Sequence, residues 1–245
     1  MNAPEPFLVD YVVRGFDCHY GGPFSPLSLA NFLQEAAGLH AARLGIGMAD
    51  LAAEGRTWML SRLDIRIDSL PREGDRVRVR TWPSGCERLF ALRDLVLESE
   101  SGEALVRAVY AYLVVDVATR KPLRPDRALD IGRLGTAEHA LRDFKLGVEP
   151  PEGAEPACEI RARRRHIDEN GHVNNAHYID WLVDAASDRP EAAGGLRGLR
   201  VEFAREVLEG ELLAARAGSG PGGLVRAELL RGEESVARAE LSFAR

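Results

Sequence analysis

Between Arg165 and Trp181 the chain sets Asp168, Asn170 and His172 at alternate positions, follows them with Asn174 and Asn175, and then places Tyr178 and Trp181. A carboxylate, an amide and an imidazole so close together can pass a proton, hold a water and orient a carbonyl. In an extended or turning segment, residues at i, i+2 and i+4 project to one side. Asn174 or Asn175 suits a helix N-cap, and the unpaired N–H groups of the first turn would then point back at the cluster. A helix start of this kind favours an oxygen that is gaining negative charge. The arrangement implies an acyl-transfer or acyl-binding site. Asp and Asn also serve widely as turn and capping devices; that explains a lone Asx residue but not the whole run.

The elements that must position these groups are legible from periodicity. Tyr178, Trp181, Leu182 and Ala185 follow helical spacing, and Leu29, Phe32, Leu33 and Ala36 repeat it in a helix opened by Ser25-Pro26. A strand is expected over Tyr11 to Phe16, and a short helical piece from Met48 to Glu54. Alternation then marks strands around Leu63 to Ile67 and Val77 to Thr81, with Pro71 to Asp75 as the turn. Further strands are expected over Leu89 to Leu97, Leu105 to Val115, Leu224 to Leu230 and Val236 to Phe243. One face of the first sheet should be buried and the other more polar.

The two halves repeat one order of elements. Ile65, Ile67, Gly74 and Asp75 match Val201, Phe203, Gly210 and Glu211 at one offset, and Gly102-Glu103 matches Gly232-Glu233. Only the second copy carries the chemistry if Asp17-Cys18-His19-Tyr20-Gly21 is set against Asp168 to His172, so one site per chain is expected.

Asp168-x-Asn170-x-His172-Val173-Asn174-Asn175 followed by Tyr178-x-x-Trp181 resembles the signature of the acyl-acyl carrier protein thioesterases. The resemblance covers nearly the whole chain. It implies an α+β fold of two tandem hotdogs, each a long central helix wrapped by a curved antiparallel sheet. The expected division is residues 1–135 for the N-terminal hotdog, 136–156 for a linker, and 157–245 for the C-terminal hotdog. It implies hydrolysis of acyl-acyl carrier protein thioesters to free fatty acid in fatty acid biosynthesis. The family's Glu-aromatic-x-Arg-Glu-Cys segment reads Glu202-Phe203-Ala204-Arg205-Glu206-Val207 here, so valine stands where the family has a cysteine. Thiol chemistry at that position is ruled out, which leaves Asp168 and Glu206.

By resemblance Glu206 is water-activating base or nucleophile, Asp168 and His172 are its proton-handling partners, and Asn170 positions the carbonyl or the water. Asn174, Asn175, Tyr178 and Trp181 are candidates for substrate binding. Phe32, Leu33, Ala36 and Leu39 are candidates for lining an acyl pocket, although a helix needs a buried face in any case. The implied partner is acyl carrier protein, which is acidic, and Arg161-Ala162-Arg163-Arg164-Arg165 and the run from Arg120 to Arg127 are candidate docking patches or plain solvated surface. A second copy of the chain, forming a homodimer, is another candidate partner.

Composition narrows the alternatives. The chain has 245 residues, 45% of them hydrophobic, enough for one large or two small domains. A formal net charge of -6 argues against a nucleic-acid binder. No apolar run approaches a bilayer span, and Met1 to Pro6 lacks the features of a signal peptide, so no membrane association and a cytoplasmic location are expected. Cys18, Cys86 and Cys158 have no paired spacing and read as small apolar residues rather than disulfides or zinc ligands. Neither a phosphate loop nor a dinucleotide fingerprint occurs, so no cofactor and no metal are expected. An acyl-CoA thioesterase is the nearest alternative and a non-catalytic acyl sensor a more distant one. A hydratase of the MaoC type would need Asp-x-Asn-Pro-x-His, whereas His172 follows Asp168 by four residues with no proline between.

Overall fold

Proline fits the first turn of a helix because its missing N–H has no partner there, and Pro26 opens α1 (Pro26–Arg43). Leu29, Leu33 and Ala36 of the expected stripe are buried, joined by Ala30 and Ala37, while Phe32 is only half-buried. These features come from a computed structural model that describes residues 5–19, 22–129 and 138–244. The Met1 to Pro4 part of the N-terminal reading, Tyr20 and Gly21 of the first loop, and 130–137 around the expected linker start lie outside the described residues.

The chain forms two compact units. The first comprises Met1–Ser25, Asn31–Leu63 and Asp68–Phe144, and the second Pro26–Ala30, Asp64–Ile67 and Lys145–Arg245. Strands of the first unit are β1 (Phe7–Val12), most of β2 (Arg56–Ile67), whose last four residues belong to the second, β3 (Arg76–Glu87), β4 (Phe90–Ser99), β5 (Ala104–Asp116) and the short β6 (Pro122–Leu123). They pair antiparallel in the order β1-β3-β4-β5, with β2 and β6 both on β5. Two short helices, α2 (Met48–Ala53) and α3 (Pro125–Ala128), complete it. The second unit holds β7 (Glu155–Arg161), α4 (Asn175–Ser187), β8 (Leu196–Phe203), β9 (Leu212–Ser219), β10 (Val225–Arg231) and β11 (Glu234–Phe243). Its strands lie in the order β8-β11-β10-β9-β7. Helix α4 buries Tyr178, Trp181, Leu182 and Ala185 and packs on β7, β9, β10 and β11. Each unit is thus an antiparallel sheet with a long helix, the hotdog arrangement.

Four sequence expectations change. The first strand runs Phe7–Val12 rather than Tyr11 to Phe16, because Gly15–Asp17 turns as a short 3₁₀ helix. Strand β4 is buried on both faces from Ala91 to Leu97. One face meets the helix side, while the other is covered by 138–144: Asp94 accepts from the Ala140 N–H at 2.6 Å and lies 2.8 Å from His139 Nδ1, and Trp82 Nε1 donates to the Glu138 carbonyl. Strands β7 and β9 were not legible, since one is an exposed edge and the other buries mainly alanines, which carry little strand signal. The cysteines also depart from the apolar reading in their exposure: Cys86 and Cys158 are exposed and Cys18 is half-buried.

The interior of the first unit contains a charge. Arg93 on β4 is buried and donates to His40 Nδ1 of α1 at 3.0 Å and to Thr81 Oγ1 at 3.3 Å. His40 must then be neutral to accept, and burial first, then the Arg93 charge, lowers its pKa to about 4. Because the folded value lies below the unfolded one, the unfolded chain binds the proton first as pH falls. Stability from this site is complete above about pH 6.5 and is lost toward pH 4, by roughly 3 kcal/mol over that window. Urea unfolding of the wild type and of His40→Asn at a series of pH values should show the steeper acid loss in the wild type alone.

Candidate active site

The loop before α4 is built by its own hydrogen bonds. Ile167 and Val173 form an isolated antiparallel bridge, the Asp168 N–H donates to the His172 carbonyl at 2.9 Å, and the Gly171 N–H to the Asp168 carbonyl at 3.1 Å. Gly171 has φ 81°, a left-handed conformation that a side chain would strain. Asp168 Oδ1 accepts the Asn170 N–H at 2.8 Å, closing an Asx turn. Of the extended or turning segment expected for these residues, the structure has the tight turn.

Two further bonds fix this turn to its surroundings. The Asn174 N–H donates to the His166 carbonyl at 2.9 Å, and the Val173 N–H to the Val207 carbonyl at 2.8 Å. The second ties the loop to the segment after β8, and His172 Nε2 comes to 3.2 Å from Glu206 Oε2. Both side chains keep access to solvent, at 35% and 44% exposure. Val207, at the position where a thiol was ruled out, is fully buried. The geometry thus brings the His172 and Glu206 side chains together, while Asp168 is engaged within the turn by the Asn170 backbone and the Asn170 side chain is exposed.

Asn174 is the N-cap of α4, its Oδ1 accepting the Ala176 N–H at 2.9 Å. The His177 N–H bonds to the Asn174 carbonyl at 2.9 Å. The cap therefore uses two first-turn donors that the sequence reading aimed at the cluster. Asn175 is half-buried in the same turn. Tyr178 is buried and its hydroxyl donates to the Arg205 carbonyl at 3.1 Å, fixing the residue next to Glu206. Burial raises the Tyr178 pKa, so the phenol keeps its proton.

Trp181 belongs to a cluster that the sequence did not single out. Its ring meets His166 edge-on at 5.1 Å and stacks with His177 at 6.1 Å, while the two imidazoles are 4.8 Å apart. His166 Nδ1 lies 3.1 Å from the Arg163 N–H, which it accepts. Burial lowers the pKa of His166 and of His177, with the neighbouring His177 charge adding to the effect on His166. The two rings and Trp181 brace the loop from behind.

The first copy contains the same scaffold, and it corrects the loop alignment. Cys18 bridges Phe24 as Ile167 bridges Val173, and the His19 N–H bonds to the Pro23 carbonyl as Asp168 does to His172. Arg14 N–H donates to Asp17 Oδ2 as Arg163 does to His166 Nδ1. Asp17 therefore corresponds to His166 rather than Asp168, and the offset is the one that relates Leu29 and Phe32 to Tyr178 and Trp181. On this offset His19 and Pro23 stand where Asp168 and His172 stand, so the first copy lacks the chemistry.

The expected pocket residues diverge. Leu33 and Ala36 are core, Leu39 is 47% exposed, and Phe32 stacks on Tyr11 at 4.2 Å beside a cleft of about 710 Å³ rimmed by Arg14, Arg78, Asp10 and Asp17. Among the described residues no group of three or more His, Cys, Asp or Glu side chains could hold a metal ion, and no helix is long and apolar enough to cross a membrane.

Comparison with known proteins gives two family matches, the acyl-ACP thioesterase N-terminal domain over residues 7–127 and its C-terminal domain over 151–234. A palmitoyl-acyl carrier protein thioesterase of Gossypium hirsutum is 28% identical over 82% of this chain and 52% of its own length. Oleoyl-acyl carrier protein thioesterase 1 of Arabidopsis thaliana is 26% identical over 83% of the chain and 61% of its own. The chain thus spans about half the length of the first of these relatives. Among solved structures, an acyl-ACP thioesterase from Bacteroides thetaiotaomicron superposes with a TM-score of 0.85 at 24% identity, covering 98% of both chains. A 12:0-ACP thioesterase from Umbellularia californica gives 0.83 at 22% identity, covering 98% of this chain and 97% of its own. The fold is shared across these proteins.

The cap carries a measurable share of this geometry. Asn174→Ala should destabilise the protein by about 1 kcal/mol, and Asn174→Asp should restore most of that. Chemical denaturation of the three proteins under one set of conditions checks it.

Proposed function

Since the chain belongs to the acyl-ACP thioesterase family, matching both its N-terminal and C-terminal domains, we propose that it hydrolyses acyl-acyl carrier protein thioesters to free fatty acid and carrier protein. The observation that carries this reading is the contact of His172 Nε2 with Glu206 Oε2 at 3.2 Å beside the Asp168 turn.

In the reaction a water attacks the thioester carbonyl, and the C–S bond breaks once the tetrahedral oxyanion collapses. A base must take the proton of the water, and an acid must return one to the departing sulfur. Asp168 already accepts a backbone N–H within its turn, which suits a group that holds the loop and orients its neighbours. Glu206 is solvent-accessible and faces an imidazole, which suits a group that takes a proton from water and passes it on. We therefore assign Glu206 as the base, His172 as the proton carrier, and Asn170 as the group that positions water or carbonyl. Asn174, Tyr178 and Trp181 act on the substrate through the loop they brace, and Asn175 borders the same turn. The buried Val207 excludes a thiol nucleophile at its position.

Glu206→Gln keeps the shape but removes the basic lone pair, so kcat should fall by about 10²-fold or more while KM changes little. Near-wild-type kcat in this variant, with loss in Asp168→Asn, would transfer the role of base to Asp168. The partner in this reading is an acidic carrier protein, and the exposed Arg163, Arg164 and Arg165 flank the site. Replacing all three by Gln should raise KM for the carrier-protein substrate by roughly tenfold and barely change it for a short coenzyme A thioester. Equal changes for both substrates would assign these arginines a structural role.

A further inference from the structure

The carboxylate of Glu206 is carried on 204–211, an irregular segment between β8 and β9. A side chain on such a segment is placed only as well as its backbone is held. Arg231, the last residue of β10, donates from Nη1 to the Glu206 carbonyl at 3.2 Å. The same nitrogen reaches both carboxylate oxygens of Glu211 at 3.0 Å, and Nη2 reaches Glu234 Oε2 at 2.7 Å. Glu211 in turn accepts the Leu208 N–H at 3.0 Å, and Glu234 binds Arg205 Nε at 2.8 Å. One guanidinium therefore joins both ends of the segment, and the planar fork of arginine can do this where a lysine point charge cannot.

We infer that Arg231 is a positioning residue for Glu206, holding its backbone so that the carboxylate meets His172. This rests on the assignment of Glu206 as the base. The first copy gives independent support: Asp75 Oδ2 accepts the Arg72 N–H at 2.8 Å as Glu211 accepts that of Leu208, so the acidic turn is part of the scaffold in both units. The arginine is not. Val77 matches Leu213 at the offset that relates Asp75 to Glu211, and Val77 pairs with Ser99 at the end of β4, so Ser99 stands where Arg231 stands, in the copy that lacks the chemistry. A clamp needed for folding alone would be expected wherever the turn recurs; this one accompanies the carboxylate. The ion pairs are solvent-accessible and individually weak, so stability is not their main output.

The experiment is a cycle of Arg231→Met, Glu206→Gln and the double variant, with Arg231→Lys as the conservative control, measured on the full chain with an acyl-carrier-protein substrate. Arg231→Met should lower kcat by about tenfold or more with KM within about threefold of wild type and a thermal midpoint nearly unchanged. The double variant should be no slower than Glu206→Gln, and Arg231→Lys should recover part of kcat. Losses that multiply in the double variant, or wild-type kcat in Arg231→Met beside an inactive Glu206→Gln, would overturn the inference and leave the assignment of Glu206 standing. Wild-type kcat in Glu206→Gln would overturn that assignment first. If Arg231→Met does not fold, Arg231→Lys carries the same cycle, and full activity in it with intact stability would count against the clamp.

Discussion

The site depends on one backbone hydrogen bond, from the Val173 N–H to the Val207 carbonyl. His172 and Glu206 lie on separate segments of the second unit, and this bond brings their backbones into register one residue away from each. Without it no backbone hydrogen bond would join the two segments beside the 3.2 Å approach of imidazole to carboxylate, which would rest on side-chain contacts. The equivalent bond in the first unit, from the Phe24 N–H to the Pro71 carbonyl, holds the same loop with no chemistry on it. The bond is therefore a property of the fold, and the reaction was placed on top of it.

Around this bond the unit divides labour between burial and exposure. The Asn174 cap, the Tyr178 hydroxyl and the stack of His166, His177 and Trp181 are buried or half-buried and fix the backbone. The groups assigned to proton transfer keep contact with water. Burial of a carboxylate without a partner would favour its neutral form and remove the base, so a partly exposed Glu206 braced by buried and half-buried neighbours satisfies both requirements.

The two units also show how one scaffold tolerates different chemistry at one position. Asp17 and His166 accept the same backbone N–H, one through a carboxylate oxygen and the other through a ring nitrogen. Any acceptor of suitable reach serves the turn. This freedom lets the second copy place an imidazole against Trp181, where the first copy has Phe32 packed on Tyr11.

The sequence by itself determined the elements whose signal is local. Helical spacing located α1 and α4, alternation located β3, and the repeated offsets revealed two copies. It also gathered Asp168, Asn170 and His172, since a turn needs only neighbouring residues, and left the cap between Asn174 and Asn175, which the structure decided for Asn174. Tertiary structure alone decided the rest. The burial of both faces of β4 depends on a segment 46 residues away, so no periodicity within the strand could report it. Strands β7 and β9 owe their place to pairing with each other and with β10. The alignment of the loop to its copy was ambiguous by residue type and became fixed only through its hydrogen bonds. The grip of Arg231 on Glu206 joins residues with no sequence proximity, because a guanidinium finds its acceptors only after the sheet has brought the end of β10 beside the segment after β8.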